Sequence, residues 1–230
     1  PRLADFSVDV DRIEALVRSQ GDSTSRGRIK VIFICQPNNP DGGLASAADI
    51  ERLLRLPLVV VVDEAYAEFS GESIASWVPR YSNLIVMRTF SKWAGLAGLR
   101  LGYGLFPLEL VDHLWKIKQP YNVNTAAQAA ALASLEDLDY LRHNVQRIID
   151  ERERLLDLLR RVSYLQPYPS RSNFILCRVV NREALEVKQA LEGRGILIRH
   201  FDKPGVSDCV RISVGMPEQN DRLIEVLLTV

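Results

Sequence analysis

Leu58-Val-Val-Val-Val-Asp-Glu-Ala-Tyr66 is an unbroken apolar run that ends on two carboxylates and a phenol. Four successive valines give no alternation of faces, so a strand made from them is buried on both sides, as in a parallel sheet. Two runs of the same kind flank it, Val31-Ile-Phe-Ile-Cys35 and Leu84-Ile-Val-Met87. Helical patterns alternate with them. Asp9 to Gln20 carries Ile13, Leu16 and Val17 on one face, with Gly21 as its stop. Ser46 with Asp49 three residues on resembles a capping box for a helix that turns Ile50, Leu53 and Leu54 inward. Leu108 to Lys118 reads as another helix. The alternation predicts an α/β fold with a mostly parallel sheet and helices on both faces.

The second half has a different pattern. Residues 126–162 predict two helices, the second turning Leu138, Leu141, Val145, Ile148, Ile149, Arg152, Leu155, Leu156 and Leu159 to one side. Asn173 to Val179, Ile196 to Arg199 and Cys209 to Val214 read as short strands, interleaved with helices over Arg182 to Glu192 and Pro217 to Leu228. This half is an α+β module. We divide the chain into domains 1–136 and 137–230.

Composition narrows the function classes. Of 230 residues, 29 are Lys or Arg and 29 are Asp or Glu, a formal net charge of zero. That balance lacks the basic footprint of a nucleic-acid binder. The longest apolar stretch, Leu56 to Val62, contains Pro57 and is far too short to span a bilayer. Three widely spaced cysteines, Cys35, Cys177 and Cys209, without a Cys-x-x-Cys pair, argue against a disulfide framework or a zinc site. They favour a reducing compartment such as the cytoplasm.

In an open parallel sheet, ligands bind outside the carboxyl ends of the strands. Gln36-Pro-Asn-Asn-Pro-Asp-Gly-Gly43 leaves the first of these strands, Asp63-Glu-Ala-Tyr66 the second, and Arg88-Thr-Phe-Ser-Lys92 with Gly98-Leu-Arg100 the third. Pyridoxal phosphate suits such a set. Its aldehyde needs a lysine amine, its ring nitrogen a carboxylate, its phenolic oxygen donors such as Asn39 and Tyr66, and its phosphate partners such as Ser91 and Arg100. Each piece alone has a plainer reading. An Asp-Glu after an apolar run also resembles a magnesium site of nucleotide hydrolases, although no Gly-x-x-x-x-Gly-Lys-Ser/Thr loop occurs. Lys92 alone is a surface lysine, residues 38–42 alone are turn chemistry, and Gly104 alone relieves a crowded bend. The order and spacing of the whole set outweigh these.

Pro37-Asn-Asn-Pro-Asp-Gly42, Asp63-Glu-Ala-Tyr66, Ser91-Lys92 and Gly98-Leu-Arg100 resemble the successive signatures of fold-type I, class I/II aminotransferases. Pro120-Tyr-Asn-Val-Asn124, Leu165-Gln-Pro-Tyr-Pro-Ser170, Ser172-Asn-Phe-Ile-Leu176, Ile198-Arg-His200 and Val210-Arg-Ile-Ser-Val-Gly215 bring the resemblance closest to the histidinol-phosphate aminotransferase family. The resemblance implies that Lys92 holds the cofactor and shuttles the proton between Cα and C4′, and that Asp63 pairs with the pyridinium nitrogen. Asn39 and Tyr66 would bond the phenolic oxygen, and Ser91 and Arg100 the cofactor phosphate. Arg211 matches the arginine that grips the substrate carboxylate, and Arg199 is the candidate for the substrate phosphate.

It further implies transamination of histidinol phosphate with 2-oxoglutarate in histidine biosynthesis, small amino and keto acids as partners, and a homodimer. Residues 1–136 would be the C-terminal portion of the cofactor-binding large domain and 137–230 the small domain. The family's N-terminal part, with a phosphate-binding helix terminus and a ring-stacking aromatic residue, would lie before Pro1. Related chemistries on this fold are an aromatic aminotransferase and an amino-acid phosphate decarboxylase; a truncated, non-catalytic chain is the remaining alternative. His113 and His143 are expected in solvent, His200 near the substrate without a catalytic role, and Trp77, Trp93 and Trp115 in packing positions.

Overall fold

A computed structural model describes residues 1–19 and 28–230, which divide into two compact units, 1–37 with 44–141, and 38–43 with 142–230. The first unit contains α1 (Val10–Ser19), β1 (Val31–Cys35), α2 (Ala47–Leu54), β2 (Val59–Asp63), α3 (Ala67–Ser70), β3 (Leu84–Thr89), β4 (Gly102–Leu105), α4 (Leu108–Ile117) and α5 (Thr125–Glu136). The expected end of α1 at Gln20 and Gly21 lies outside the described residues. Ser46 caps α2, its side chain accepting the Asp49 amide at 3.0 Å while its hydroxyl donates to the Asp49 carboxylate at 2.7 Å.

The sheet order is β1-β2-β3-β4, the first three strands parallel and β4 antiparallel to β3. Parallel neighbours need crossover connections, and the helical segments between these strands supply them. Ile34, Val60, Val62, Leu84 and Val86 form one face of the sheet and pack with Ile50, Leu53 and Leu54 of α2, Val10 and Ile13 of α1, and Ile74 and Val78. On the other face the register aligns Phe33, Val61 and Ile85, then Cys35, Asp63 and Met87. Val61 is buried there, whereas Phe33 is 66% and Met87 42% exposed. The α/β class and the mostly parallel sheet stand.

Strand β4 was not expected, because two of its four residues are glycine. A Cβ at Gly102 would meet the Arg88 carbonyl oxygen at 2.8 Å, and one at Gly104 the Phe106 ring at 2.4 Å. Gly102 therefore lets β4 approach β3, and Gly104 makes room for the Phe106 ring. Trp115 corrects a second expectation: it is 67% exposed rather than packed, with the Lys118 ammonium 5.3 Å from its ring centroid. Trp77 packs against the core, and the Trp93 ring lies 5.5 Å from Phe90.

The second unit is built on α6 (Leu138–Leu159), followed by β5 (Leu165–Pro167), β6 (Phe174–Val179), α7 (Ala184–Glu192), β7 (Arg199–His200), β8 (Cys209–Ser213) and α8 (Pro217–Leu227). Its sheet is antiparallel throughout, in the order β5-β6-β8-β7. Leu155, Leu156 and Leu159 of α6 meet Ile175 and Cys177 of β6, Val210 and Ile212 of β8, Leu191 of α7, and Leu223 and Leu227 of α8. The strand expected over Ile196 to Arg199 is a different one. Ile196 and Ile198 do turn toward the core and Leu197 away, but the Ile196 amide is used to close α7, donating to Leu191 at 3.0 Å. The ladder with β8 begins only at Arg199. Arg152, placed inward by its helical position, is indeed buried, and donates to the Ser172 carbonyl at 3.0 Å.

Among the described residues no helix is long and apolar enough to cross a membrane. A carboxylate on α6 fastens this helix to α8: Glu151 accepts from Arg154 at 2.7 and 2.9 Å and from the Asn220 amide at 2.7 Å. The Arg154 bond, opposed by partial burial and aided by Asn220, holds the Glu151 carboxyl below the ordinary value of 4.5. A group with a depressed folded pKa contributes stability above its unfolded pKa and loses it as pH falls through the folded one. Glu151→Gln is therefore expected to lower unfolding free energy at pH 7 by about 1 kcal/mol. In urea titrations at stepped pH, that difference should shrink steadily below pH 4.5.

Candidate active site

Asp63 ends β2 and is flanked in register by Cys35 and Met87, so it sits centrally at the carboxyl ends of three parallel strands. Its carbonyl accepts the Gln36 amide at 2.8 Å, and its side chain accepts the Ala65 amide at 3.0 Å, which turns the chain toward Tyr66 and α3. Lys92 lies in the connection from β3 to β4. That connection is closed on itself by Phe90 N to Leu101 O and Leu96 N to Phe90 O, both 3.1 Å. The Thr89 hydroxyl accepts the Ser91 amide at 3.0 Å and donates to Leu101 at 3.1 Å. Buried Phe90 anchors the connection between the Trp93 and Tyr103 rings. Arg100 occupies the left-handed region at φ 58°, a conformation costing about 1 kcal/mol for a non-glycine residue. Its guanidinium donates to Ala97 at 2.9 Å.

These segments enclose a cavity of about 360 Å³ lined by Asp63, Ser91, Lys92 and Arg100, with Arg88 and Thr89 beside them. The Lys92 ammonium is 5.5 Å from the Tyr66 ring centroid. An amine, a carboxylate, a hydroxyl and a guanidinium thus face one space, close to a phenol. That donor set fits an anionic, aldehyde-bearing aromatic ligand. Larger cavities exist, one of about 520 Å³ beside Glu14 and Arg52 and one of about 650 Å³ beside Glu151 and Arg154. In each, the carboxylate and guanidinium named are already paired with each other, whereas the 360 Å³ cavity joins a lysine amine to a carboxylate, so chemistry rather than size selects the site. Among the described residues, no group of three or more His, Cys, Asp or Glu could hold a metal ion.

Beside this cavity is a charged cluster that the sequence reading did not single out. Glu64 is fully buried and accepts from Arg88, the Ser73 hydroxyl and the Ile74 amide, while Arg88 also reaches Glu68. Burial pushes the Glu68 carboxyl up, against the pull of Arg88. Burial works against the Arg88 charge, but Glu64 and then Glu68 outweigh it and hold the guanidinium above its ordinary value.

Asn39, Arg199 and Arg211 belong to the second unit. The 38–43 loop folds on itself, Asn38 N donating to Gly43 O at 2.8 Å, Gly42 N to Asn38 O at 2.7 Å, and the Asn38 side chain to Asp41. The Arg171 amide donates to Gly42 at 2.8 Å and seats the loop. Asn39 then presents its side-chain oxygen to Arg211 Nη1 at 2.5 Å. Arg211 lies 4.7 Å from the Phe174 ring centroid, and Arg199 is its cross-strand partner in register. Both guanidinium groups approach the Phe201 ring, at 5.7 and 5.9 Å. Like charges directly opposite each other on a sheet repel, and an anion between them relieves the cost. His200 meets the Ser207 carbonyl at 2.9 Å, and His113 and His143 are exposed. Burial pushes the Cys209 thiol up to about 12 and that of Cys177 higher still, so both are poor nucleophiles.

The chain belongs to the class I and II aminotransferases; the family model "Aminotransferase class I and II" matches residues 2–227. Within that class it is 49% identical to histidinol-phosphate aminotransferase of Roseiflexus castenholzii, over 99% of this chain and 60% of the relative. It is also 49% identical to the chloroplastic histidinol-phosphate aminotransferase 1 of Arabidopsis thaliana, over 99% of this chain and 53% of that protein. The chain thus spans somewhat more than half the length of these relatives. The crystal structure of histidinol-phosphate aminotransferase from Sinorhizobium meliloti in complex with pyridoxal-5'-phosphate superimposes with a TM-score of 0.85. It is 28% identical, over all of this chain and 62% of that one.

The tightest point in the site loops is Gly42, at φ 78°, where a Cβ would fall 2.1 Å from Ser170 Oγ. Gly42→Ala combines a disfavoured backbone conformation with a steric collision. The expected cost is about 2 kcal/mol or more in urea unfolding.

Proposed function

We propose that this chain carries the cofactor-binding and substrate-binding residues of a pyridoxal-phosphate-dependent aminotransferase. The reaction would be transamination of histidinol phosphate with the dicarboxylic keto acid 2-oxoglutarate, in histidine biosynthesis. The observation that carries the reading is the convergence of Asp63, Ser91, Lys92 and Arg100 on one cavity. The 49% identity to two histidinol-phosphate aminotransferases supports the substrate.

Pyridoxal phosphate, when bound, supplies a cationic ring that withdraws electrons from the substrate Cα. The protein's residues do the rest. Lys92 would supply the amine that holds the cofactor's aldehyde and, as a free amine, would carry the proton as base and then as acid. The Asp63 carboxylate keeps the ring nitrogen protonated. Ser91 and Arg100 hold the cofactor phosphate by charge-assisted hydrogen bonds. The motifs assign Tyr66 and Asn39 to the phenolic oxygen, Arg211 to a substrate carboxylate and Arg199 to the substrate phosphate. Residues 1–136 are assigned to the large domain and 137–230 to the small one. Small amino and keto acids are the partners, with no nucleic acid or membrane, and the working form is a homodimer in the cytoplasm or a plastid.

Mixing the purified chain with pyridoxal phosphate should produce a visible absorbance band that Lys92→Ala lacks while keeping its circular dichroism. A band of equal size in both would remove Lys92 from its role, and none in either would favour a non-catalytic chain. With an amino-acid phosphate, which unlike histidinol phosphate carries a carboxylate, release of carbon dioxide without amino transfer would select the decarboxylase alternative. Arg199→Ala should weaken histidinol phosphate by roughly tenfold or more, the worth of one charge-assisted contact, and unphosphorylated histidinol far less. An equal loss on both would displace Arg199 from the phosphate.

A further inference from the structure

In the cluster beside the cavity Glu64 is fully buried and Arg88 and Glu68 are mostly so, and their geometry is specific. Arg88 donates through Nε and Nη2 to one Glu64 oxygen at 3.0 and 2.8 Å, through Nη2 to Ser73 Oγ at 2.7 Å, and through Nη1 to Glu68 at 3.1 Å. Glu64 also accepts the Ser73 hydroxyl and the Ile74 amide, each at 2.7 Å. One guanidinium therefore ties the end of β3 to the turn before α3 through Glu64, to α3 through Glu68, and to Ser73. The Glu64 amide adds a backbone tie to Met87 at 2.9 Å. From the opposite side, Gly102 of β4 closes on the Arg88 carbonyl.

The neighbours of this clamp in sequence are the cavity's reactive groups. Asp63 immediately precedes Glu64, and Thr89, Ser91 and Lys92 follow Arg88. We propose that Arg88 and Glu64 are positioning residues, whose fork sets the spacing of Asp63 from the Lys92 connection and so shapes the cavity for its ligand. This rests on the aminotransferase reading for the identity of the ligand, though not for the clamp itself. Stability alone does not require the arrangement, since a buried ion pair replaced by apolar residues of similar volume is often as stable or more so. Nor does charge alone, since lysine lacks the planar fork that holds three partners at once.

The test uses the whole chain with Arg88→Met and Glu64→Met combined, in a Glu68→Gln background so that no lone buried carboxylate remains, and separately Arg88→Lys, which keeps the charge and loses the fork. Amide hydrogen exchange is read first, without cofactor. The double variant should keep its melting temperature within a few degrees and its exchange in β6 and β8, while residues 89–95 exchange about tenfold faster or more. Arg88→Lys should show the same local change in smaller degree. Pyridoxal phosphate titration should then show about tenfold weaker binding in the double variant and an intermediate value in Arg88→Lys. Parent-like exchange at residues 89–95 in both variants overturns the proposal, as does parent-like cofactor affinity beside an intact Lys92-dependent band. Were the parent chain to give no such band, the functional reading would fall, and the exchange result alone would decide the clamp.

Discussion

The parallel pairing of β1, β2 and β3 is the constraint from which the rest follows. Parallel strands deliver their carboxyl ends to the same side, and the register sets Cys35, Asp63 and Met87 abreast. The valines of β2 are hydrogen-bonded along both edges, and Val60, Val61 and Val62 are all buried. A carboxylate at the end of such a strand is held by backbone rather than by its own contacts. The β3 to β4 connection brings an amine to the same place because Phe90 is trapped beneath it and its amides are spent internally. Arg88 and Glu64 then join the ends of the two strands from beside the cavity. Position in this half is a property of the sheet, and the loops inherit it.

The second unit solves a similar problem with an antiparallel sheet. Cross-strand pairing of β7 with β8 is short, yet it places two guanidinium groups opposite each other. Phenylalanine faces at 174 and 201 support them, and Asn39 supplies an oxygen to one. The loop bearing Asn39 is rigid for local reasons: a left-handed glycine, a short internal turn and a side-chain bond from Asn38 to Asp41.

Much of this was legible in the sequence, and the boundary of legibility has physical causes. Asp63, Ser91, Lys92 and Arg100 could be placed together because an unbroken apolar run announces a parallel strand and its last residue announces a ligand-facing end. Strand β4 was hidden because its first glycine is explained only by the nearness of the Arg88 carbonyl, a contact no local pattern encodes. The partnership of Arg88 with Glu64 joins residues 24 apart, and depends on which strands are neighbours. The strand expected over Ile196 to Arg199 misled for the opposite reason. The apolar run Ile196 to Ile198 belongs to a turn leaving α7, so a short apolar stretch imitated a ladder that begins only at Arg199.

The facing of Arg199 and Arg211 has a consequence for how the second unit behaves in solution. The backbone ladder holds these two arginines on adjacent strands, so the folded form keeps two positive charges on one face of the sheet. Any small anion that enters lowers their repulsion, and dissolved salt screens it over about 10 Å at 0.1 M. Ionic strength and the identity of the buffer anion thus become variables of the protein itself, since phosphate or sulfate in the medium is attracted to such a pair of guanidinium groups.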